Sequence, residues 1–152
     1  MSGRVMISAL VGLALAAIGC GDDGSDLTEF VGTWKYDVSM ARFSCPGQTD
    51  QTGPLASMKH WGEGVKSNLV DLSTDCNYRF DVKNKQATIQ KDQTCMFDDG
   101  SGAQAVEAPN SWVFTLNSAI RAEEKVETVT TFIDGVACTL TATSTLDKIS
   151  KD

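Results

Sequence analysis

The chain has 152 residues, of which 13 are lysine or arginine and 20 are aspartate or glutamate, a formal net charge of −7. This length is that of one ordinary domain, which is long enough to bury a sizeable core. The acidic balance disfavours nucleic acid as a partner and gains nothing from anionic lipid headgroups.

The chain begins with the order of a secretory signal peptide. Arg4 is the only charge before Asp22, an apolar run covers residues 5–18, and alanine and glycine crowd its end. The run is too short for a comfortable membrane span. We therefore predict that residues 1–19 are a signal helix that is cleaved from the mature chain.

The end of this segment is more specific than a general signal. Ala17-Ile18-Gly19-Cys20 resembles the bacterial lipobox, although Ala17 stands where leucine is usual. The resemblance implies that diacylglycerol is attached to the Cys20 thiol and that the new amino terminus is acylated, which gives a stable membrane anchor. The alternative is an ordinary signal peptide that ends in a chance cysteine.

Residues 20–27 are predicted to be a lipidated flexible tether, because their polar start buries too little surface to order itself. Residues 28–152 are predicted to form a single domain. In bacterial sorting, aspartate directly after the lipidated cysteine favours the inner membrane. Gly21 takes that place here, so the expected location is the cell envelope, with the outer membrane preferred over the inner membrane.

Four cysteines remain once Cys20 carries lipid, and an even number in an oxidising compartment favours two disulfides. Three pairings are open. We favour Cys76–Cys95, which flanks a predicted hairpin, and Cys45–Cys138, which ties the first strand region to the last. No C-x-x-C or histidine-paired spacing is present, which argues against a zinc site or redox chemistry.

Past residue 28, apolar residues recur at every second position, as they do in strands with one buried face. The inward positions expected from this pattern are Trp34, Tyr36, Val38 and Met40, then Tyr78, Phe80 and Val82, then Trp112, Phe114 and Leu116, and finally alternate residues from Val136 to Leu146. Residues 66–73 and 126–133 are further β-rich runs.

Turn signals separate these runs. Residues 83–85 and the Asp134-Gly135 pair each predict a tight hairpin, because asparagine, aspartate and glycine tolerate positive φ. A short helix is an option near residues 55–60 or 119–127. Seven to nine strands without a βαβ rhythm predict an all-β fold, either an antiparallel barrel or a sandwich.

A second resemblance favours the barrel. Gly32-Thr33-Trp34 resembles the Gly-x-Trp motif that opens the first strand of lipocalins and related calycins. It implies a small antiparallel up-and-down barrel in which Trp34 caps the closed end, under a basic residue of the last strand, for which Lys148 is the candidate.

A further resemblance is to uncharacterised bacterial lipoproteins. It rests on Cys76, which precedes an aromatic strand, and on Gln93-Thr94-Cys95. This likeness implies no activity.

Catalytic and metal-binding patterns are weak in this sequence. His60 is the one histidine, and its context is not a known base or nucleophile motif. Residues 98–102 lack the oxygen spacing of a calcium loop. The adjacent carboxylates Glu123 and Glu124 are interpreted as surface residues. We therefore predict no catalytic residue, no metal and no cofactor.

The aromatic side chains are the remaining candidates for function. Six of them are expected inside the barrel, either around a ligand cavity or as a filled core, and we favour the filled core. They are Trp34, Tyr36, Tyr78, Phe80, Trp112 and Phe114.

The functional hypothesis is a monomeric, lipid-anchored envelope protein with a non-catalytic barrel that binds an envelope protein or has a structural role. One alternative is a lipocalin-like carrier of a small apolar ligand. A less favoured one is a hydrolytic enzyme that uses His60.

Overall fold

The computed structural model describes residues 27–55, 58–64, 68–98, 100 and 102–151. The predicted signal peptide, Cys20 and most of the predicted tether lie outside these residues. Within the described residues, no helix has the length and apolarity needed to cross a membrane.

One helical turn and ten strands make up the described part of the chain. They are α1 (Leu27–Phe30), β1 (Gly32–Ser44), β2 (Gln51–Gly53), β3 (Met58–Glu63), β4 (Leu69–Asp71), β5 (Arg79–Lys83), β6 (Gln86–Ile89), β7 (Cys95–Asp98), β8 (Gln104–Ser118), β9 (Arg121–Phe132) and β10 (Ala137–Ser150).

Eight of these strands close into a ring with the order β1-β3-β4-β5-β6-β8-β9-β10, and β10 pairs back onto β1. Every pairing is antiparallel. Strand β2 adds to β1 and strand β7 adds to β8 outside the ring. The predicted all-β, antiparallel up-and-down barrel is therefore confirmed.

The strands of the ring have very different lengths. Strands β1, β8, β9 and β10 have 12 to 15 residues, whereas β3 to β6 have 3 to 6. The long strands therefore extend past the ring at one end, where β2 and β7 flank them. We call this the projecting end.

The opposite end carries α1, the turns at 83–86 and 118–121, and the last residues of β10. The main chain links these parts, because the Lys148 amide donates to Ile120 O and the Leu116 amide donates to Lys85 O. We call this the α1 end. The chain enters the described structure here, at Leu27.

Two disulfides brace the projecting end. Cys45, just past β1, is joined to Cys138 near the start of β10, and the loop residue Cys76 is joined to Cys95 at the start of β7. Their Cα atoms are 4.3 and 5.4 Å apart, respectively. These are the same two pairs that the spacing in the sequence favours.

Both predicted hairpin turns are present. Asn84 and Lys85 adopt φ values of 49° and 61° between β5 and β6, as a two-residue primed turn requires. Gly135 has a φ of 83° between β9 and β10, and Asp134 Oδ1 accepts from the Val136 amide at 2.9 Å.

The prediction that Val38 and Met40 point inward is wrong. The pairing of β1 with β10 shifts between Tyr36 and Val38, where a bulge reverses the alternation. Val38 and Met40 are consequently more than 60% exposed, whereas Ala41 is buried.

Among the described residues of segments 55–60 and 119–127, where a short helix was an option, the structure has no helix. Met58–Glu63 and Arg121–Phe132 are strands instead. In each segment, alternating burial shows that pairing with neighbouring strands outweighs the local helix propensity.

Candidate functional site

The Gly-x-Trp segment closes the barrel at its α1 end. Gly32 has a φ of +130°, and a β-carbon at this position would overlap the Ser150 carbonyl oxygen, so glycine is required. The fully buried Trp34 donates from Nε1 to Phe30 O at 2.9 Å, which fastens α1 across the opening.

Lys148 takes the place that the lipocalin-like motif implies for it. Its Nζ lies 5.2 Å from the centre of the Trp34 ring and donates to Glu29 O at 2.8 Å. Partial burial, followed by the charge of Lys151, lowers the pKa of Lys148. The side chain therefore ties the last strand to both the tryptophan and the helical turn.

Aromatic rings fill the middle of the barrel. Trp61 packs against Phe80 with ring centres 4.7 Å apart and against Phe114 at 5.2 Å. Trp34 also lies 5.2 Å from Phe114, and Trp112 lies 5.5 Å from Phe80. Five of the six predicted aromatic residues are buried, and Tyr36 is partly buried. Trp61 and Phe30 are core residues too, although the alternation pattern did not predict them.

Charged side chains lie directly above these rings, inside the barrel. We name them, with the two aromatic residues they contact, the interior charged cluster: Tyr36, Lys59, Asp71, Trp112 and Glu124. Lys59 is 6% exposed, Glu124 is 1% exposed and Asp71 is fully buried. Buried charges are costly, so each of them requires a partner.

The Lys59 ammonium group is held from three sides. Its Nζ lies 2.7 Å from Asp71 Oδ2, 3.8 Å from Glu124 Oε1 and 4.0 Å from the centre of the Trp112 ring. An ammonium group over a tryptophan face is attracted by the ring quadrupole. The second oxygen of Asp71 accepts from the Ser73 amide at 2.8 Å.

The Glu124 carboxylate is equally well bonded. Its Oε1 accepts from Trp112 Nε1 at 2.8 Å, and its Oε2 accepts from the Tyr36 hydroxyl at 2.7 Å. Burial, followed by the charge of Glu124, raises the pKa of Tyr36 far above its ordinary range. The tyrosine therefore stays protonated and keeps donating to the carboxylate at neutral pH.

The interpretation of both Glu123 and Glu124 as surface residues is therefore wrong for Glu124. Ala122, Glu124 and Val126 are the inward residues of β9, and Glu123 faces outward. The alternation of β9 could have identified Glu124 as an inward residue, because Ala122 and Val126 mark the buried face. The burial of Glu124 was not predicted because carboxylates are seldom buried unless they are paired.

A second polar contact continues the line of interior groups toward the projecting end. The Tyr78 hydroxyl donates to Glu107 Oε1 at 3.0 Å. Burial, and then the Glu107 charge, raise the pKa of Tyr78. Thr128, which is 1% exposed, donates to Glu107 Oε2 at 3.5 Å.

A small cavity adjoins the interior charged cluster. Its volume is about 130 Å³, and its walls include Tyr36, Leu55, Trp112 and Leu140. Cavities that hold drug-sized ligands measure about 300–1,000 Å³. This space is therefore a remnant beside a filled core, large enough for a few heavy atoms.

The other sequence candidates lie away from the cluster. His60 is exposed on the outer face of β3, with Nδ1 3.0 Å from Thr33 Oγ1. Asp98 Oδ1 accepts from the Gly100 and Gly102 amides at 2.8 and 3.2 Å, as in an ordinary turn. Across the described ranges, no three histidine, cysteine or acidic side chains are grouped so as to hold a metal ion.

No protein-family model and no curated protein matches this chain. The interior charged cluster is an internally paired network of one cation and two carboxylates. Lys59 and Asp71 lie on the short strands β3 and β4, whereas Glu124 lies on the long strand β9. The cluster therefore fixes the position of the short strands relative to the long ones.

Proposed function

We propose that the mature protein is a lipid-anchored envelope lipoprotein whose barrel has a non-catalytic binding or structural role. The observation that supports this most strongly is the filled interior. Aromatic rings and the interior charged cluster occupy the space that a lipocalin-like carrier leaves for its ligand. The outer surface is therefore the part of the barrel that is available to an envelope partner.

The membrane anchor in this proposal rests on Cys20 and its lipobox-like context. Two disulfides in the folded domain suit a compartment outside the cytoplasm, where such bonds persist. Only seven residues, 20–26, separate the start of the mature chain from α1. We place the protein at the outer membrane in preference to the inner one because Gly21 follows the cysteine.

Metabolic labelling with an alkyne fatty acid tests the anchor. The wild-type chain is expected to take up label, and the Cys20→Ala variant is expected to lose it. Ala17→Leu, which restores the usual lipobox residue, serves as the matched control and should label at least as well as wild type. Label that persists in Cys20→Ala contradicts the proposed anchor.

A second candidate is a lipocalin-like carrier, and the cavity beside Tyr36 and Leu140 favours it. A cavity of about 130 Å³ restricts the cargo to a very small molecule with an apolar body. Native mass spectrometry of the protein from its own host tests this alternative. A stoichiometric small molecule that leaves on denaturation supports a carrier, and an unliganded mass supports the filled barrel.

A further inference from the structure

Strand β7 has a free edge at the projecting end of the barrel. Its residues pair with β8, from Cys95 opposite Glu107 to Asp98 opposite Gln104, and no described strand pairs with its other edge. The unpaired main-chain N–H and C=O groups of such an edge can bond to a further strand. Many proteins protect an edge with lysine or proline, and β7 contains neither.

A groove lies along this edge. Its volume is about 520 Å³, and its described walls are the four residues of β7 together with Thr74, Asp75, Cys76 and Glu107. Successive residues of a strand point to opposite faces, so a space that contacts all four of them follows the edge of the strand. Because β8 occupies one edge, this space, which we call the β7 groove, follows the free edge.

The β7 groove is large and preformed. Its volume falls within the range of about 300–1,000 Å³ that is typical of ligand sites, unlike the cavity of about 130 Å³ beside Tyr36. The disulfide between Cys76 and Cys95 joins the loop wall of the groove to the start of β7, with Cα atoms 5.4 Å apart. A partner therefore meets walls that are already crosslinked, which lowers the entropic cost of binding.

The side chains of the β7 groove are apolar and acidic. Met96 is 63% exposed and Phe97 is 37% exposed. The charged residues of the described walls are Asp75, Asp98 and Glu107, without a lysine or arginine. Within the described ranges, none of these three carboxylates forms an ion pair. Their charge is therefore available to a cationic partner.

This charge also indicates which kind of strand the edge accepts. Two copies of the chain that paired through β7 would bring the three carboxylates of each copy together, and like charges across an interface are strongly unfavourable. An extended segment that combines lysine or arginine with apolar side chains complements the groove instead. Its main chain would bond to the free edge, and its side chains would meet Met96, Phe97 and the carboxylates.

We propose that the β7 groove binds an extended, basic and apolar segment of another envelope protein, which adds to β7 as a further strand. This proposal rests on the binding role proposed above and names the surface and the partner for it. Main-chain hydrogen bonds and apolar contacts supply affinity, and the carboxylates select basic segments over acidic ones.

The test uses the full mature chain, purified from membranes in a neutral detergent. The probe is a fluorescein-labelled peptide of alternating lysine and valine, and its matched control has glutamate in place of lysine. Fluorescence anisotropy measures binding, and hydrogen exchange measures the protection of the β7 amides. The basic peptide should bind and slow exchange in β7, whereas the acidic peptide should do neither.

Four variants separate the β7 groove from the overall charge of the chain. Asp75→Lys should weaken binding of the basic peptide about fivefold, the factor that one exposed ion pair can supply. Met96→Lys should weaken it about tenfold, because it removes apolar contact area and adds a repelled charge. The matched controls, Glu123→Lys on the exposed face of β9 and Met40→Lys, which is also 63% exposed, should leave binding unchanged.

Two results overturn the proposal on this peptide. One is an equal loss of affinity in the groove variants and their controls, and the other is binding without slower exchange in β7. A wild-type dimer that Met96→Lys dissociates also overturns it, because a second copy would then cover the edge.

Photo-crosslinking in cells of the native host distinguishes failure of this proposal from failure of the binding role. The crosslinking residue is placed at position 96 or at position 40. Crosslinks to an envelope protein at position 40 and not at 96 overturn the β7 groove and leave the binding role intact. The absence of crosslinks at both positions overturns the binding role and this proposal with it.

Discussion

The Lys59 ammonium nitrogen lies 2.7 Å from Asp71 Oδ2 in the interior of the barrel, where both side chains are almost completely removed from solvent. This ion pair joins β3 to β4, and Glu124 extends it to β9 on the other side of the ring. The short strands are therefore fixed against the long ones by charge as well as by aromatic packing.

Removal of the cation is expected to destabilise the barrel strongly. In Lys59→Met, Asp71 and Glu124 become two buried carboxylates without their shared cation. The free energy of unfolding, measured in urea, should therefore fall by about 3–5 kcal/mol. Lys125→Met is the matched control, because Lys125 is exposed on β9 and its loss should change stability by no more than about 0.5 kcal/mol.

The double variant Lys59→Met/Asp71→Asn should be more stable than Lys59→Met alone, because it removes one of the two buried carboxylates that have lost their cation. A double variant as unstable as the sum of its single changes would show that the two residues do not interact. An equal effect of Lys59→Met and Lys125→Met would contradict the buried ion pair altogether.

The tyrosines provide a pH test, because Tyr36 and Tyr78 are the only two in the chain. Burial and a neighbouring carboxylate raise the pKa of each above its ordinary value near 10. The folded state therefore holds these protons more tightly than the unfolded state. Stability should be unaffected by these groups below about pH 10 and should fall as the pH rises further.

Absorbance at 295 nm measures this titration directly. The folded protein should show little tyrosinate near pH 10, and the signal should appear together with loss of the native fluorescence. The chain in concentrated urea should titrate near the ordinary value. Full tyrosinate absorbance near pH 10 in a protein that is still folded would refute the buried hydrogen bonds of both tyrosines.

Gly32→Ala tests the closure of the α1 end. The positive φ at Gly32 and the overlap with Ser150 O predict a loss of more than about 1 kcal/mol in the free energy of unfolding. Gly53→Ala is the control, because a β-carbon at Gly53 meets nothing within 4 Å. Equal melting temperatures for the two variants would count against the assigned role of Gly32.

The two disulfides are expected to differ in their contribution. Cys45–Cys138 spans 93 residues and Cys76–Cys95 spans 19, so loop-closure entropy predicts losses of roughly 4.5 and 3 kcal/mol when each pair is replaced by serine. Denaturant midpoints of the two double variants give the comparison. A larger loss for the shorter loop would show that entropy does not govern these crosslinks.

Much of the fold follows from period-two alternation and turn chemistry. The runs around Phe80, Phe114 and Leu146 have the predicted inward faces, because no register shift falls within the stretch of each strand that the pattern covers. The run that starts at Trp34 was predicted correctly only as far as Tyr36. A bulge depends on how the partner strand aligns, and that alignment is a property of the tertiary structure.

The interior charged cluster was missed for a different reason. Trp61 already indicates which face of β3 points inward, and that face includes Lys59. A lysine there is expected to be exposed unless a partner compensates its burial, and Asp71 and Glu124 lie 12 and 65 positions away in the sequence. These partners come together only in the closed ring of strands, so the sequence alone does not indicate the pairing.

The most direct test of the lipid-anchored barrel is the intact mass of the protein purified from membranes of a bacterial host. We predict a chain that begins at Cys20, carries diacylglycerol and one further acyl group, and has lost four hydrogens to two disulfides. An unmodified chain, or one that begins at any other residue, would contradict the proposal.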